Sequence, residues 1–211
     1  MKFLFTALFC SFLFISYSQD QTAEKKWLRI GFVSGYSSQN TLLKQDSDYS
    51  YESISYKISS HFNLSKKKNH SWELLLEPSY YRSKHEALNY WHEYFTGNTN
   101  GDELRDRFMR LKTINEYTLN TGVIYRYYLN PKSSLYALGS IGPMYIDTET
   151  ERLKKGFAFS DVFGLGTNYR FQSISIDFKC MIRHVSNANL QKPNYGFNAV
   201  GFELGVYYEF H

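Results

Sequence analysis

The feature that most constrains this chain is a regular alternation of apolar and polar residues in eight separate segments. In one of them Ile174, Ile176 and Phe178 alternate with Asp177 and Lys179. Alternation with a period of two places the apolar residues on one face of a β-strand. The sequence therefore predicts an all-β fold whose strands are 27–36, 52–64, 71–81, 117–129, 135–146, 157–171, 173–186 and 198–210.

The connections between these segments alternate in length. Long connections at 37–51, 83–112, 147–156 and 187–197 are separated by short turns at 65–69, 130–133 and 172. Bacterial outer-membrane barrels combine long extracellular loops with short periplasmic turns. The segments are also long enough for a tilted membrane strand, which needs roughly 9 to 11 residues. We therefore expect an eight-stranded antiparallel transmembrane β-barrel with both termini in the periplasm.

A soluble barrel of the lipocalin type is the alternative, and the two differ in which face points inward. The chain has 19 Tyr, 17 Phe and 3 Trp, too many to fit the narrow lumen of an eight-stranded barrel. The apolar face is therefore expected to meet lipid and the polar face to fill the lumen. The predicted lumen residues include Arg29, Lys57, Glu73, Glu77, Asn120, Arg126, Ser175, Asp177, Lys179 and Arg183.

Aromatic residues near the strand ends are typical of the girdles that meet the membrane interfaces. The predicted girdle residues are Tyr80, Tyr81, Tyr125, Tyr127, Tyr128, Tyr207, Tyr208 and Phe210. In the connection 83–112, the pairs His85-Glu86 and His92-Glu93 are interpreted as parts of a solvated loop. An amphipathic helix within 101–112 is expected to lie over the membrane face.

The N-terminus has the pattern of a secretory signal peptide, predicted to be residues 1–18. Lys2 is followed by an apolar run at 3–15, which is too short to cross about 30 Å of hydrocarbon as a helix. Cys10 lies inside this run and follows large apolar residues, so we do not expect lipidation. The barrel domain is then 19–211.

Composition limits the partners and cofactors of the mature domain. Cys180 is its only cysteine, which excludes an intramolecular disulfide and a zinc framework. The net charge of the whole chain is +4, so the charge balance does not predict nucleic-acid binding. We expect no metal and no cofactor.

The lipid-facing residues of the seventh predicted strand, 173–186, change from apolar to polar at its C-terminal end. That end is expected to meet the outer leaflet, and we call it the upper end. After Cys180 and Ile182, the same outward parity carries His184 and then Ser186. Polar side chains on the lipid face are costly and often functional. Two interpretations remain: both side chains touch lipid headgroups, or Ser186 is a nucleophile activated by His184 and facing lipid acyl esters.

The residues around this pair resemble the signature of the PagL-type lipid A 3-O-deacylases, a family of acyloxyacyl hydrolases of the Gram-negative outer membrane. Residues 183–196 read RHVSNANLQKPNYG and contain His-x-Ser-Asn-Ala followed by Pro-Asn-x-Gly. The resemblance is strong over residues 157–210 and only architectural before them. It implies an eight-stranded barrel with an active site on the outer wall, and lipid A or lipopolysaccharide of the outer leaflet as substrate.

The same resemblance implies roles for individual residues. Ser186 would be the nucleophile and His184 the general base, while Asn187 and nearby backbone amides would line the oxyanion hole. Two residues after the signature Gly, where active family members have a Glu, this chain has Asn198. An amide oxygen can orient an imidazole, but it cannot neutralise an imidazolium.

Asp161 is the alternative third member. It has outward parity, and folding about residue 172 sets it across from Ile182 or His184. Glu203 has the opposite parity and is expected to face the lumen.

The leading functional prediction is ester hydrolysis on lipid A, at the 3-O position by resemblance. A non-catalytic barrel with a structural, lipid-binding or adhesion role is the alternative, and a barrel acyltransferase is a third. The sequence leaves open which acyl chain is removed and whether the chain forms a homo-oligomer.

Overall fold

Eight antiparallel β-strands close into a barrel in a computed structural model, which describes residues 27–39 and 46–210. Each strand pairs with its neighbours in sequence, and β1 pairs with β8 to close the ring. The strands are β1 (Trp27–Ser38), β2 (Tyr49–Lys66), β3 (His70–Ala87), β4 (Lys112–Tyr128), β5 (Ser133–Ile146), β6 (Gly156–Phe171), β7 (Ile174–Ser186) and β8 (Phe197–Glu209). The predicted fold is confirmed, and the predicted signal peptide lies outside the described residues.

The strand register determines how steeply the strands tilt. A row of paired residues that starts at His184 on β7 passes through Asp161, Ile141, Thr121, Leu76, Ser60, Ile30 and Tyr208 and returns to β7 at Ile174. The start and the end of this row are ten residues apart on β7. An eight-stranded ring with this offset requires strands tilted by about 35–45° from the barrel axis.

The lumen is filled by charged side chains, as the alternation predicted. All ten residues predicted to line it are buried. Near its centre the Lys57 ammonium lies 2.9 Å from carboxylate oxygens of both Glu77 and Glu203, and Lys179 lies 2.7 Å from Glu203. The exposed outer wall is largely aliphatic and aromatic. This inside-out arrangement suits a barrel surrounded by lipid, because polar groups can be satisfied only within the protein.

Two of the predicted girdle residues face the lumen instead. Tyr81 is buried under the guanidinium of Arg183, 3.7 Å from its ring centre, and Tyr207 lies beneath Arg29 at 5.3 Å. Successive residues of a strand face opposite sides, so Tyr80 and Tyr81 cannot both reach lipid. Tyr125, Tyr127, Tyr208 and Phe210 are exposed as predicted, whereas Tyr80 and Tyr128 are half-buried.

The strands next to the longest loop extend further than predicted. β3 continues to Ala87, which places His85 inside the barrel mouth and not in a solvated loop. The His85 Nε2 atom lies 2.9 Å from a carboxylate oxygen of Glu151, which is also buried. His92 is buried as well, and its Nδ1 accepts a hydrogen bond from the Tyr94 N–H.

Two short helices, α1 (Glu93–Thr96) and α2 (Gly101–Phe108), occupy the β3–β4 loop. The apolar residues Leu104 and Phe108 of α2 pack against Ala87 and Phe95. The apolar face of α2 is therefore covered by its own loop, and the prediction that it lies on the membrane is wrong. Among the residues with defined positions, no helix is long and apolar enough to cross a membrane.

Candidate active site

The predicted site lies at the upper end of β7, on the outer wall of the barrel. The outward row of β7 is exposed from Ile174 to Ile182, and it then continues with the half-buried His184 and Ser186. The long loop 187–196 follows directly and returns the chain to β8. The structure therefore places His184 and Ser186 directly after the last apolar residue of the outward row.

His184 lies between two polar residues on its neighbouring strands. It pairs in register with Asn198 on β8 and with Asp161 on β6. The His184 Nδ1 atom lies 2.7 Å from the Asn198 Oδ1 atom. Because an amide oxygen can only accept, Nδ1 carries the proton in this contact. The other ring nitrogen, Nε2, then has a free lone pair and can act as a base.

Asp161 is an isolated carboxylate on a lipid-facing row. Its outward neighbours on β6 are Phe159 and Phe163, and its partner on β5 is Ile141. The Asp161 Oδ1 atom is buried and has no hydrogen-bond partner among the described residues. A carboxylate without a partner is costly among apolar residues, and such polar residues on a lipid-facing wall are often functional. Asp161 lies directly across from His184, which makes it a candidate member of the site.

Glu203, the nearest acidic residue on β8, is not available to the site. Its side chain is buried in the lumen between Lys57 and Lys179, as the parity predicted.

Gly196 closes the site from the loop side. Its φ angle is +68°, which favours glycine. A Cβ atom at this position would lie 2.5 Å from the Val185 carbonyl oxygen, 3.5 Å from His184 Cε1 and 3.6 Å from Ser186 Cβ. His184 and Ser186 therefore border the same small space, which any larger residue at 196 would fill.

Asn187 organises the loop that carries this space. Its side-chain NH₂ donates to the carbonyl oxygens of Gln191 (2.9 Å) and Pro193 (3.3 Å), and its backbone N–H donates to Asn194 Oδ1 (2.7 Å). Asn187 is buried, and all of these donors point into its own loop. The arrangement leaves none of them free for an oxyanion without a rearrangement.

Two residues that the sequence did not single out support the site from inside the barrel. The Arg152 Nε–H donates to the Gly196 carbonyl at 2.6 Å, and the Arg152 guanidinium stacks on the Tyr49 ring at 4.1 Å. The Tyr49 hydroxyl in turn accepts from the Asn198 backbone N–H at 3.1 Å. Both contacts join segments far apart in sequence, so no local pattern could have revealed them.

The β3–β4 loop contacts the β7–β8 loop through Tyr195. The Tyr195 ring meets the His92 ring edge to face at 4.8 Å, and its hydroxyl bonds to Glu93. Partial burial and the neighbouring Glu93 carboxylate raise the pKa of Tyr195 to about 12. The phenol therefore stays protonated at neutral pH and keeps its bond to Glu93.

The arrangement offers a base, a hydroxyl and an apolar approach from the membrane. Together these suit nucleophilic attack on a lipid ester. In the part of the chain that the structure describes, no group of three or more His, Cys, Asp or Glu side chains could hold a metal ion.

Comparisons with known proteins identify a family. The model of a family described as "Lipid A 3-O-deacylase (PagL)" matches residues 54–207. No curated protein sequence matches.

Solved structures with a similar arrangement include the outer membrane enzyme PagL, with 11% identity and a TM-score of 0.49 over 84% of this chain and 97% of that one. Neisserial surface protein A gives 10% identity and a TM-score of 0.49 over 87% and 97% of the two chains. Ail of Yersinia pestis gives 12% identity and a TM-score of 0.38 over 88% and 100%.

Proposed function

The chain belongs to the lipid A 3-O-deacylase (PagL) family of Gram-negative outer-membrane barrels, and from that premise we propose that it hydrolyses the 3-O-linked acyl ester of lipid A. The observation that carries the proposal is the outward-facing pair His184 and Ser186, which borders one space beside Gly196. A substrate in the outer leaflet can present its acyl chains to this wall without leaving the membrane.

In the proposed reaction the Ser186 hydroxyl attacks the ester carbonyl while His184 Nε2 takes its proton. The tetrahedral intermediate then collapses, the sugar oxygen leaves with that proton, and the acyl chain stays on Ser186. Water, activated by the same imidazole, releases the chain as a free fatty acid. The Nδ1 contact with Asn198 supports this scheme because it keeps Nε2 available.

The hydrogen bonds of Asn187 argue against this residue as a donor to the oxyanion. Asn187, the candidate from the family resemblance, already uses its donors within the loop. We therefore assign it a positioning role and propose the backbone N–H groups of the next residues, Ala188 and Asn189, as donors. Both have positive φ angles, 52° and 62°, and a turn of this kind can gather N–H groups into an anion-binding concavity.

The third catalytic role is shared in our proposal between Asn198 and Asp161. Asn198 holds the imidazole by its Nδ1–H, and Asp161, across from His184 on β6, supplies the negative charge that an amide lacks. A carboxylate near the imidazolium stabilises the charge that forms during attack. The buried Asp161 Oδ1 atom, which has no hydrogen-bond partner among the residues that the structure describes, supports this role.

A specific observation also favours a second candidate function. The residue bonded to His184 is an amide, whereas a carboxylate would stabilise the protonated ring. A barrel that keeps the motif as a lipid-binding or structural surface would tolerate this difference. The competing function is therefore a non-catalytic outer-membrane barrel.

Mass spectrometry of lipid A separates these functions. Cells that express the wild-type chain should show lipid A lacking one ester-linked acyl chain, together with free fatty acid, and cells that express Ser186→Ala should not. If both proteins leave the same acyl pattern, the hydrolase proposal fails and the non-catalytic barrel stands. Loss of the chain without free fatty acid, but with an acylated acceptor, would indicate a transferase.

A further inference from the structure

On the strand opposite the candidate active site, the outer wall again changes from apolar to polar residues. We call such a change a polar break. On β3 the outward residues Leu74, Leu76 and Tyr80 are followed by Arg82 and Lys84. This is the same kind of change, from apolar to polar, that occurs on β7 after Ile182. β3 is four strands away from β7 in either direction around the ring.

The two breaks lie at about the same height. The row of paired residues that starts at His184 reaches β3 at Leu76 after four steps. Over a full turn of the barrel, this row moves ten residues along the strands toward the periplasmic end, from His184 to Ile174. Over half a turn it therefore moves about five residues. The height of His184 on β3 is therefore close to Arg82, six residues above Leu76. A change from apolar to polar residues at one height on both sides of the barrel is what the level of the lipid headgroups requires.

A shallow groove of about 290 Å³ surrounds the two cations. Ile54 and Tyr36 contribute exposed apolar surface to it, while Arg82, Lys84 and Glu52 provide its polar edge. The groove thus combines an apolar wall, which suits an acyl chain, with positive charge at the level of a headgroup.

Within residues 27–39 and 46–210, the two cations have no anionic partner. No carboxylate of a residue placed by the structure forms an ion pair with Arg82 or Lys84. Glu52 pairs in register with Lys84, but its carboxylate accepts a hydrogen bond from the Tyr36 hydroxyl at 3.0 Å. On the other side, Asp147 is bound by the backbone and side chain of Asn115, at 2.9 and 2.7 Å.

We propose that this groove is a second, non-catalytic lipid site that binds the phosphorylated headgroup of an outer-leaflet glycolipid. Arg82 binds a phosphate through its planar fork, and Lys84 adds a point charge from the same face. An acyl chain of the same lipid lies along Ile54. The lining contains no imidazole, and its Tyr36 hydroxyl is a phenol held by the Glu52 carboxylate, unlike the Ser and His pair of the candidate active site. The lipid is therefore held and not cleaved.

Lipid retention by the purified barrel tests this site. The protein carries Ser186→Ala so that no lipid is consumed, and it is inserted into zwitterionic phospholipid nanodiscs containing a small share of lipid A. Native mass spectrometry counts the lipid A molecules that remain after gentle release. Arg82→Gln/Lys84→Gln should lose one retained molecule, with an affinity at least about tenfold weaker, because two charge-assisted contacts are removed.

A matched control removes one Arg and one Lys at the same end of the barrel. Arg110→Gln/Lys155→Gln affects exposed loop positions and should retain lipid A as the parent does. Lipid A without its phosphates should not be retained at the groove, and inorganic phosphate should not displace the intact lipid. Circular dichroism checks that all variants fold.

Equal retention by the groove variant and its control would overturn the proposal, as would retention that is independent of the lipid phosphates. Displacement by inorganic phosphate would show a simple anion site instead of a lipid site. The hydrolase proposal is tested separately, because Arg82→Gln/Lys84→Gln with Ser186 intact should still release fatty acid from detergent-dispersed lipid A. A loss of binding with hydrolysis preserved therefore concerns the groove alone.

Discussion

Asp161 and His184 lie directly across from each other on β6 and β7, with both side chains on the outer wall of the barrel. On its other side, His184 is hydrogen-bonded to the amide of Asn198 at 2.7 Å. The imidazole is thus held by a neutral group on one strand and faced by a carboxylate on the other. In our proposal, the two tasks of the carboxylate in a catalytic triad, to orient the imidazole and to stabilise its positive charge, are divided between Asn198 and Asp161.

Replacing Asn198 by Glu should increase the rate of ester hydrolysis. The carboxylate would accept the same Nδ1–H and would also stabilise the imidazolium, so we expect kcat to rise by roughly tenfold or more. Fatty-acid release from lipid A in mixed micelles measures the effect. Asn198→Ala is the control and should be slower than wild type, because the ring loses its orientation. A Glu variant no faster than wild type would contradict this prediction.

Replacing Asp161 by Asn should slow the reaction in the wild-type background. We expect kcat to fall by about tenfold, the equivalent of one pKa unit of charge stabilisation. The same change made together with Asn198→Glu should matter much less, since the new carboxylate supplies the charge. A double-mutant cycle measures this coupling. Equal effects of Asp161→Asn in the two backgrounds would mean that Asp161 does not act through His184.

Replacing Gly196 by Ala should abolish most of the activity and leave the barrel folded. The added Cβ would meet the Val185 carbonyl at 2.5 Å and push the loop away from His184 and Ser186. A misplacement of reacting groups by about 1 Å costs about a hundredfold in kcat, and we expect a loss of this order. Gly139→Ala is the matched control, because a Cβ there has nothing within 4 Å. Comparable rates for the two variants would show that the loop geometry does not matter.

Replacing Arg152 by Ala should weaken the same loop from inside the barrel. Without the guanidinium, the Gly196 carbonyl and the Tyr49 ring lose their common partner, and we expect kcat to fall by about tenfold. Arg107→Ala, at an exposed position of α2, should leave kcat unchanged. Wild-type activity in the Arg152 variant would assign the support of the loop to other contacts, such as the bridge between Leu153 and Asn194.

The sequence predicted the barrel, and it also predicted which wall carries the candidate residues His184 and Ser186, because both follow from parity. Alternation assigns each side chain to one wall, and the tight turn at residue 172 then sets Asp161 beside His184. The girdle prediction is wrong for Tyr81 because it departs from strict alternation. Its neighbour Tyr80 has the outward position, so Tyr81 must face the lumen. The girdle prediction places these adjacent aromatic residues on one wall, although they belong to opposite walls.

The extracellular ends of β3 and β4 carry too little hydrophobic alternation to be predicted as strands. Above the hydrocarbon the outer face no longer needs apolar residues, so Arg82 and Lys84 alternate with the buried Ser83 and His85, and little hydrophobic signal remains. The buried contact between His85 and Glu151 joins β3 to the β5–β6 loop across the barrel mouth. Like the contacts of Arg152, it depends on closure of the ring, which no segment of the sequence displays by itself.

Removing the central charge of the lumen should destabilise the barrel without touching the site. Lys57→Met leaves Glu77 without its 2.9 Å ion pair and leaves Glu203 with Lys179 alone. Breaking a buried pair in this way costs about 3–5 kcal/mol, because the remaining charge stays buried. Urea unfolding from phospholipid vesicles measures the loss. Lys155→Met, the same change at an exposed loop position, should shift the unfolding free energy by no more than about 0.5 kcal/mol. Equal unfolding midpoints for the two variants would mean that the lumen network does not stabilise the fold.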